Sequence, residues 1–213
     1  PNNNHLFNED SDYNPYLNYG KSKMLMEKLI LKYVRRGDIQ STIIRPPWFY
    51  GPYQPNRQNK FYRMIKEGTV PILGDGLNKR SMACTMNISQ AMIRAGMTEN
   101  SNGNIYWIAD HRPYTFMEII NTIRKVMKNE FGIICKDSHV KLPSFIGEIA
   151  FMADKIIQSF GFYNKEIHVL SEMNKTIACS IEKAKTEINY EPKVDLYTGT
   201  LLSIQSSIAD FNS

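Results

Sequence analysis

Apolar residues recur at helical spacing from Leu25 to Val34: Leu25, Met26, Leu29, Ile30, Tyr33 and Val34 keep the period of an amphipathic helix. Asn14-Pro15 ahead of them reads as a helix opening, a capping side chain followed by a proline whose missing N–H costs nothing at the first helical position. Arg35 and Arg36 suit the negative helix end, and Gly37 stops it. The pattern then changes: Ile39 to Ile44 is short and β-branched and reads as a strand. Helix, short loop and buried strand in that order imply an α/β layer. Pro46, Pro47, Gly51, Pro52 and Pro55 make the next stretch a structured loop.

Farther along, Arg57 to Glu67 reads as a helix ended by Gly68, Val70 to Leu73 as a strand and Gly74-Asp75-Gly76 as a turn. Ser89 to Met97 is helical and Asn104 to Ile108 is a strand. Thr115-Phe116-Met117-Glu118 is a capping box opening a helix with Ile119, Ile120, Ile123 and Val126 on its face. Ser144 to Phe160 is an apolar helix that could be core, a dimer face or a lid over an apolar substrate, core being the first expectation. Ile181 to Ile188 and Leu196 to Ile208 are two more helices. There is no internal repeat, and helices dominate after about Leu73.

Composition narrows the class. The 213 residues suffice for one large domain or two small ones, and 42% hydrophobic with 22% charged residues is ordinary for a soluble globular chain. The net charge of +5 is spread out, with its densest spots at Arg35-Arg36 and Lys79-Arg80. A nucleic-acid partner would want a basic stripe, so none is expected. Cys84, Cys135 and Cys179 lie far apart and show neither metal spacing nor a disulfide framework, which fits a reducing cytoplasm. The longest apolar region, Phe145 to Ile157, is interrupted by Glu148 and Asp154, so no integral membrane segment is expected. Pro1 in place of Met, with a polar run to Asn4, reads as the start of an excised piece.

The chemistry lies near the start. Tyr19 and Lys23 are four residues apart, so a helix places them on one face. A phenol near an ammonium is easier to ionise, which suits proton exchange with a substrate carbinol. The spacing alone proves little. Tyr62 and Lys66 repeat it and read as a surface pair. Context separates the two pairs: only Tyr19 is followed by a strand and the loop Arg45-Pro46-Pro47-Trp48-Phe49-Tyr50-Gly51-Pro52.

That context resembles the extended short-chain dehydrogenase/reductase family, the NAD-dependent epimerase/dehydratase group. Tyr19-Gly-Lys-Ser-Lys23 with Glu27 looks like its catalytic helix, and Ile43 to Pro52 like its following strand and loop. Glu9 to Pro15, Ile72 to Gly76 with Arg80, Gly103 to Asp110 and Lys183 to Pro192 are similar to further family segments, in family order. The resemblance implies an α/β fold: the C-terminal part of a doubly wound Rossmann-type domain plus a smaller, mostly helical substrate-binding domain. Residues 1–73 would be the remainder of the dinucleotide-binding domain and 74–213 mainly the substrate-binding domain, with segments that interleave. The family's glycine-rich pyrophosphate turn and its catalytic Ser/Thr do not occur here, which implies that on the order of 100 residues lie upstream.

Residue by residue, the resemblance makes Tyr19 the acid/base and Lys23 the group that tunes it and holds the nicotinamide ribose. Pro46 and Pro47 would contact the nicotinamide end of NAD or NADP. Arg80 would meet a substrate phosphate; its alternative is a solvated basic turn. Trp48 stands where nucleotide-sugar members often carry asparagine, which favours a bulkier or more apolar small-molecule substrate, as in hydroxysteroid-dehydrogenase-like members, or marks simple packing within the loop. The intact protein would be a homodimeric oxidoreductase, epimerase or dehydratase, the alternative being a non-catalytic dinucleotide sensor. His139 and His168 have no spaced partners, so no metal is expected, and His111, in a turn before a capped helix and far from Tyr19, reads as a surface histidine in place of a catalytic one. Met24 and Met26 read as core filler, and the role of Asn87, where the family usually has aspartate, stays open.

Overall fold

The computed structural model describes residues 6–15, 17–208 and Phe211. In chain order it forms α1 (Leu17–Arg35), β1 (Ile43–Arg45), β2 (Trp48–Tyr50), α2 (Asn56–Glu67), β3 (Pro71–Leu73), β4 (Lys79–Arg80), β5 (Met82–Cys84) and α3 (Thr85–Met97). Then follow β6 (Ile105–Trp107), β7 (Tyr114–Thr115), α4 (Phe116–Phe131), β8 (Val140–Leu142), α5 (Phe145–Ser159), α6 (Lys165–Glu172), α7 (Glu182–Ile188) and α8 (Leu196–Ser206).

The opening of α1 differs from expectation. The helix begins after Pro15, with Leu17 at φ +52. Pro15 instead lies against the first turn, its backbone 3.2 Å from where a Cβ on Gly20 would sit. Of α1, only Glu27 is buried. Leu25, Met26 and Leu29 are exposed, so Met26 is not core filler. The strand expected from Ile39 shrinks to β1, because Ser41 N–H donates to Asn102 Oδ1 and Thr42 Oγ1 to Ser101 O in place of a ladder. The proline loop holds a strand that the sequence hides: β2, three residues between Pro47 and Gly51.

β1 pairs in parallel with β6, Ile43 beside Ile105, and β2 with β5, Trp48 beside Met82. β3 pairs in parallel with β8, and β4 antiparallel with β7. The first two pairings join strands before residue 73 to strands after it. Local signals set the helix ends. Gly68 and Gly132 take left-handed conformations that close α2 and α4. The Thr115 side chain accepts from Glu118 N–H at the start of α4.

The larger core is built on α4, whose Phe116, Ile119, Ile120, Ile123, Val126 and Met127 are all buried. They pack with Tyr62 and Ile65 of α2 and Leu196 and Ile204 of α8, each worth roughly 2 kcal/mol of burial. α8 approaches β2 so closely that a Cβ on Gly199 would fall 2.6 Å from the Tyr50 ring. A second cluster joins Ala91 and Ala95 of α3, Tyr106 of β6 and Ala184 and Ile188 of α7. The apolar helix α5 belongs to neither cluster and corrects the core expectation: its buried residues are Gly147, Ala150 and Asp154, on the narrow side facing α6.

A buried polar hub ties the two clusters together and answers for Asn87. The Asp110 carboxylate accepts from Tyr50 Oη at 2.8 Å, Asn87 Nδ2 at 2.9 Å and Cys84 N–H at 3.2 Å. Asn87 also donates to Val194 O and accepts from the Lys193 and Val194 N–H groups. An aspartate at 87 could not donate, so asparagine is the residue that joins Asp110 to the segment before α8. Burial pushes the Asp110 carboxyl up from 3.8 to about 6, against the pull of its hydrogen bonds. A raised carboxyl favours folding below its unfolded value, and that contribution is lost as pH rises through the folded value. The unfolding free energy of the native protein relative to Asp110→Asn, from urea titrations, is therefore expected to fall by about 2 kcal/mol between about pH 4 and pH 7. A difference that does not change with pH would show that Asp110 does not titrate this way.

Candidate functional site

Helix α1 carries the first part of the site. Tyr19 and Lys23 share a face, with Lys23 Nζ 5.6 Å from the centre of the Tyr19 ring. The Tyr19 side chain is open to solvent (68% exposed), so a substrate can reach its hydroxyl. The rival pair has another fate. Tyr62 is buried in the core at 4% exposure, where burial pushes its phenol up to about 12, and Lys66 Nζ donates to Phe211 O. The surface-pair reading of Tyr62 is therefore corrected: its ring is a packing element and its hydroxyl is shut away from any substrate.

One turn beyond Lys23, on the same face, stands Glu27. Its carboxylate accepts from Arg45 Nε at 3.0 Å, Arg45 Nη2 at 2.5 Å and Tyr13 Oη at 2.9 Å. The Arg45 guanidinium also lies over the Tyr13 and Trp107 rings, at 5.2 and 5.4 Å. Arg45 is the last residue of β1, so this ion pair fixes α1 to the strand end from which Pro46 and Pro47 depart. Both prolines are half-buried. The loop's far end is set by Gly51 at φ +146, where a Cβ would fall 2.1 Å from Thr85 Oγ1.

Trp48 and Arg80 come together as a second unit. The Arg80 guanidinium lies 5.9 Å from the Trp48 ring centre, and Trp48 packs tilted against Phe61 at 5.3 Å. Arg80 is buried, which lowers its pKa and rules out a solvated basic turn. Its Nη2 donates to Glu172 O at the end of α6, while its Nε has no hydrogen-bond partner among the described residues.

The α5–α6 hairpin reaches both units. Gln158 of α5 accepts from Asn18 N–H at 3.3 Å, next to Tyr19, and donates to Asp154 at 3.0 Å. Asp154 in turn meets His168 Nδ1 at 2.7 Å. No group of three or more His, Cys, Asp or Glu among the described residues could hold a metal ion. None of the described helices is long and apolar enough to cross a membrane.

The sequence reading missed Arg45, Tyr13, Gln158 and Glu172 as parts of the site. Glu27, at i+8 from Tyr19, carried the one usable signal: a carboxylate on the active face of a helix needs a cation nearby.

The α/β architecture, with an exposed Tyr-x-x-x-Lys face on the helix tied to a strand-end proline loop, places the chain among Rossmann-type folds. The profile of the NAD dependent epimerase/dehydratase family matches residues 1–109, and the chain belongs to that family. An uncharacterized protein of Sinorhizobium fredii is 45% identical over 205 residues, which cover 96% of this chain and 58% of that protein. The fold is similar to UDP-glucuronic acid 4-epimerase from Bacillus cereus, solved with NAD (TM-score 0.70, 21% identity, 97% of this chain, 57% of that chain). It is also similar to dTDP-glucose 4,6-dehydratase from Bacillus anthracis, solved with NAD (TM-score 0.68, 20% identity, 96% and 56%). This chain thus spans a little over half the length of the proteins it matches. The family's cofactor is a nicotinamide dinucleotide, NAD or NADP. The residues present fit its nicotinamide-ribose half: Lys23 offers an exposed ammonium beside Tyr19, and the prolines follow the strand anchored to the same helix.

Proposed function

We propose that this chain supplies the proton-transfer and substrate-side part of an NAD(P)-dependent oxidoreductase, epimerase or dehydratase acting on a secondary alcohol or its ketone. When bound, the nicotinamide takes up or returns the hydrogen of the carbinol carbon with its electron pair. Tyr19 takes the hydroxyl proton in one direction and gives it back in the other. Lys23, whose ammonium lies 5.6 Å from the centre of the Tyr19 ring, would donate to the nicotinamide ribose. Pro46 and Pro47 give the nicotinamide end a rigid, donor-free wall. The division at residue 73, with interleaved segments, and a cytoplasmic location belong to the same proposal.

Arg80 and Trp48 bear on the substrate. Trp48 has Phe61 against its ring and the guanidinium of Arg80 over it, so it supports Arg80 more than it walls an apolar pocket. The Arg80 Nε–H, buried and without a hydrogen-bond partner among the described residues, would suit an acceptor such as a phosphate once the site opens to it. That favours an alcohol carrying an anionic group over a purely apolar one.

The observation that carries this reading is the exposed Tyr19–Lys23 pair on a helix locked to the proline loop by Glu27–Arg45. The test is turnover of UDP-glucuronic acid, dTDP-glucose and a hydroxysteroid as trial alcohols by the full-length protein with NAD and with NADP, read as nicotinamide reduction and, where the hydride returns, as epimerised or dehydrated product. Turnover with a phosphate-bearing alcohol supports the reading; turnover with the steroid alone overturns the substrate class. The 213-residue chain by itself, which has no glycine-rich turn for the pyrophosphate, is expected to show no saturation with micromolar NADH by fluorescence. Micromolar binding would contradict the half-site assignment.

A further inference from the structure

The first N–H groups of a helix have no acceptor within the helix. In α1 the N–H of Asn18, the residue before Tyr19, finds one far away in sequence: Gln158 Oε1 on α5, at 3.3 Å. Gln158 is not free to turn its amide over. Its Nε2 donates to Asp154 Oδ1 at 3.0 Å, and a carboxylate only accepts, so the amide oxygen is held towards α1. Asp154 lies one turn back on the same face of α5, and its side chain is fully buried. Its other oxygen, Oδ2, lies 2.7 Å from His168 Nδ1 on α6, so Nδ1 carries the hydrogen between them. Local devices place His168. Gly161, at φ +81, turns the chain between the two helices, and the Asn164 side chain accepts from Ile167 N–H to open α6. The Tyr163 ring stands 5.5 Å from the imidazole.

We propose that Gln158, oriented by the buried Asp154–His168 pair, is a positioning residue for Tyr19: it caps α1 from across the chain and fixes the helix end from which the phenol projects. The effect on turnover rests on the proposed role of Tyr19; the cap itself does not. Tyr19 lies in the first turn of α1, where helices fray. The ion pair of Glu27 with Arg45 holds α1 about 12 Å farther along the axis and leaves the first turn to other contacts. Small shifts there matter, since reacting atoms must approach to about 3–3.5 Å and a 1 Å misplacement can cost about 100-fold. A tie that served packing alone would not need these groups. Burying a carboxylate is costly unless it is hydrogen-bonded, and the neighbouring buried positions of α5 are Gly147 and Ala150. Asp154 recovers that cost through two donors, and one of them is the amide that faces α1. At its other end α6 gives Glu172 O to Arg80, so one hairpin borders both the proton-transfer side and the substrate side.

An exchange of partners in the full-length protein tests this. Asp154→Asn turns a donor towards the Gln158 amide, and Gln158→Glu sets two carboxylates against each other, so each change alone is expected to break the relay. Together they restore it with reversed polarity: the amide at 154 donates to the carboxylate at 158, which accepts from Asn18 N–H at a helix end that favours negative charge. Each single change should speed hydrogen exchange of the Asn18 amide about tenfold, read by NMR without cofactor or substrate. Each should also lower the single-turnover rate of nicotinamide reduction on the order of 10- to 100-fold, with dinucleotide affinity unchanged. The double exchange should bring both readings close to native. Gln158→Met keeps the length of the side chain without its hydrogen bonds and should show the same two losses, which covers the case of a charged change that unfolds the hairpin. A double exchange no better than either single one, or native Asn18 exchange in Gln158→Met, overturns the cap. Faster Asn18 exchange with a native single-turnover rate overturns the positioning of Tyr19. A native protein without turnover on any trial alcohol overturns the proposed function and the positioning role with it, while Asn18 exchange still decides the cap.

Discussion

Tyr19→Phe in the full-length protein is expected to lower the rate of NAD-linked alcohol oxidation by about 10²–10⁴-fold, the usual contribution of a positioned acid/base. Dinucleotide affinity should change little, because the phenyl ring keeps its place beside Lys23 and only the hydroxyl is lost. Folding should also be unaffected: Tyr19 is mostly exposed, and substitutions at such sites stay within about 0.5 kcal/mol. This separates Tyr19 from Tyr62, whose buried hydroxyl affects stability but not chemistry. Lys23→Ala should weaken dinucleotide binding and turnover together, since turnover depends on the dinucleotide that Lys23 would hold. Following nicotinamide absorbance under single-turnover conditions, with cofactor binding titrated separately, distinguishes the two variants. Near-native turnover in Tyr19→Phe would remove this residue from the mechanism, whatever the status of the family assignment.

The contrast between the two Tyr-x-x-x-Lys pairs shows what the sequence could carry. Spacing puts both pairs on helix faces, but burial depends on what packs against each face. Tyr62 faces Phe211 and the core around α8, partners more than a hundred residues away. The helices α2 and α4 were legible because their stops and caps are local: Gly68, Gly132 and the Thr115 cap. The strand β2 was not, since three residues between prolines become a strand only by pairing with β5, over thirty residues on. The apolar run of α5 read as core for a related reason. Hydrophobicity marks a face that seeks cover without saying whether the chain itself covers it. For Arg80 the pattern left a phosphate contact and a solvated turn both open, because α6, a helix the pattern did not announce, is what places Glu172 O on its guanidinium.

The contact between Glu27 and Arg45 leads to the largest expected effect on stability. Both side chains are nearly buried, at 11% and 13% exposure, and the pair is bidentate with Tyr13 as a third donor. Glu27→Ala leaves a guanidinium out of water with its counter-charge gone and the Tyr13 hydroxyl without an acceptor. The cost for such a broken pair is about 3–5 kcal/mol, read as a lower unfolding free energy in urea titrations of the full-length protein. The pair's own net worth is smaller, because two desolvated charges offset much of their attraction. Glu27→Ala combined with Arg45→Met should therefore be less destabilising than Glu27→Ala alone, since the apolar replacement leaves no orphaned charge. That sign of non-additivity is the informative result, because two unrelated packing defects would simply add. If Glu27→Ala costs under about 1 kcal/mol, in the range of an exposed pair, α1 is held to β1 by something else. The proposed registry of Tyr19 against Pro46 would then lose its physical basis.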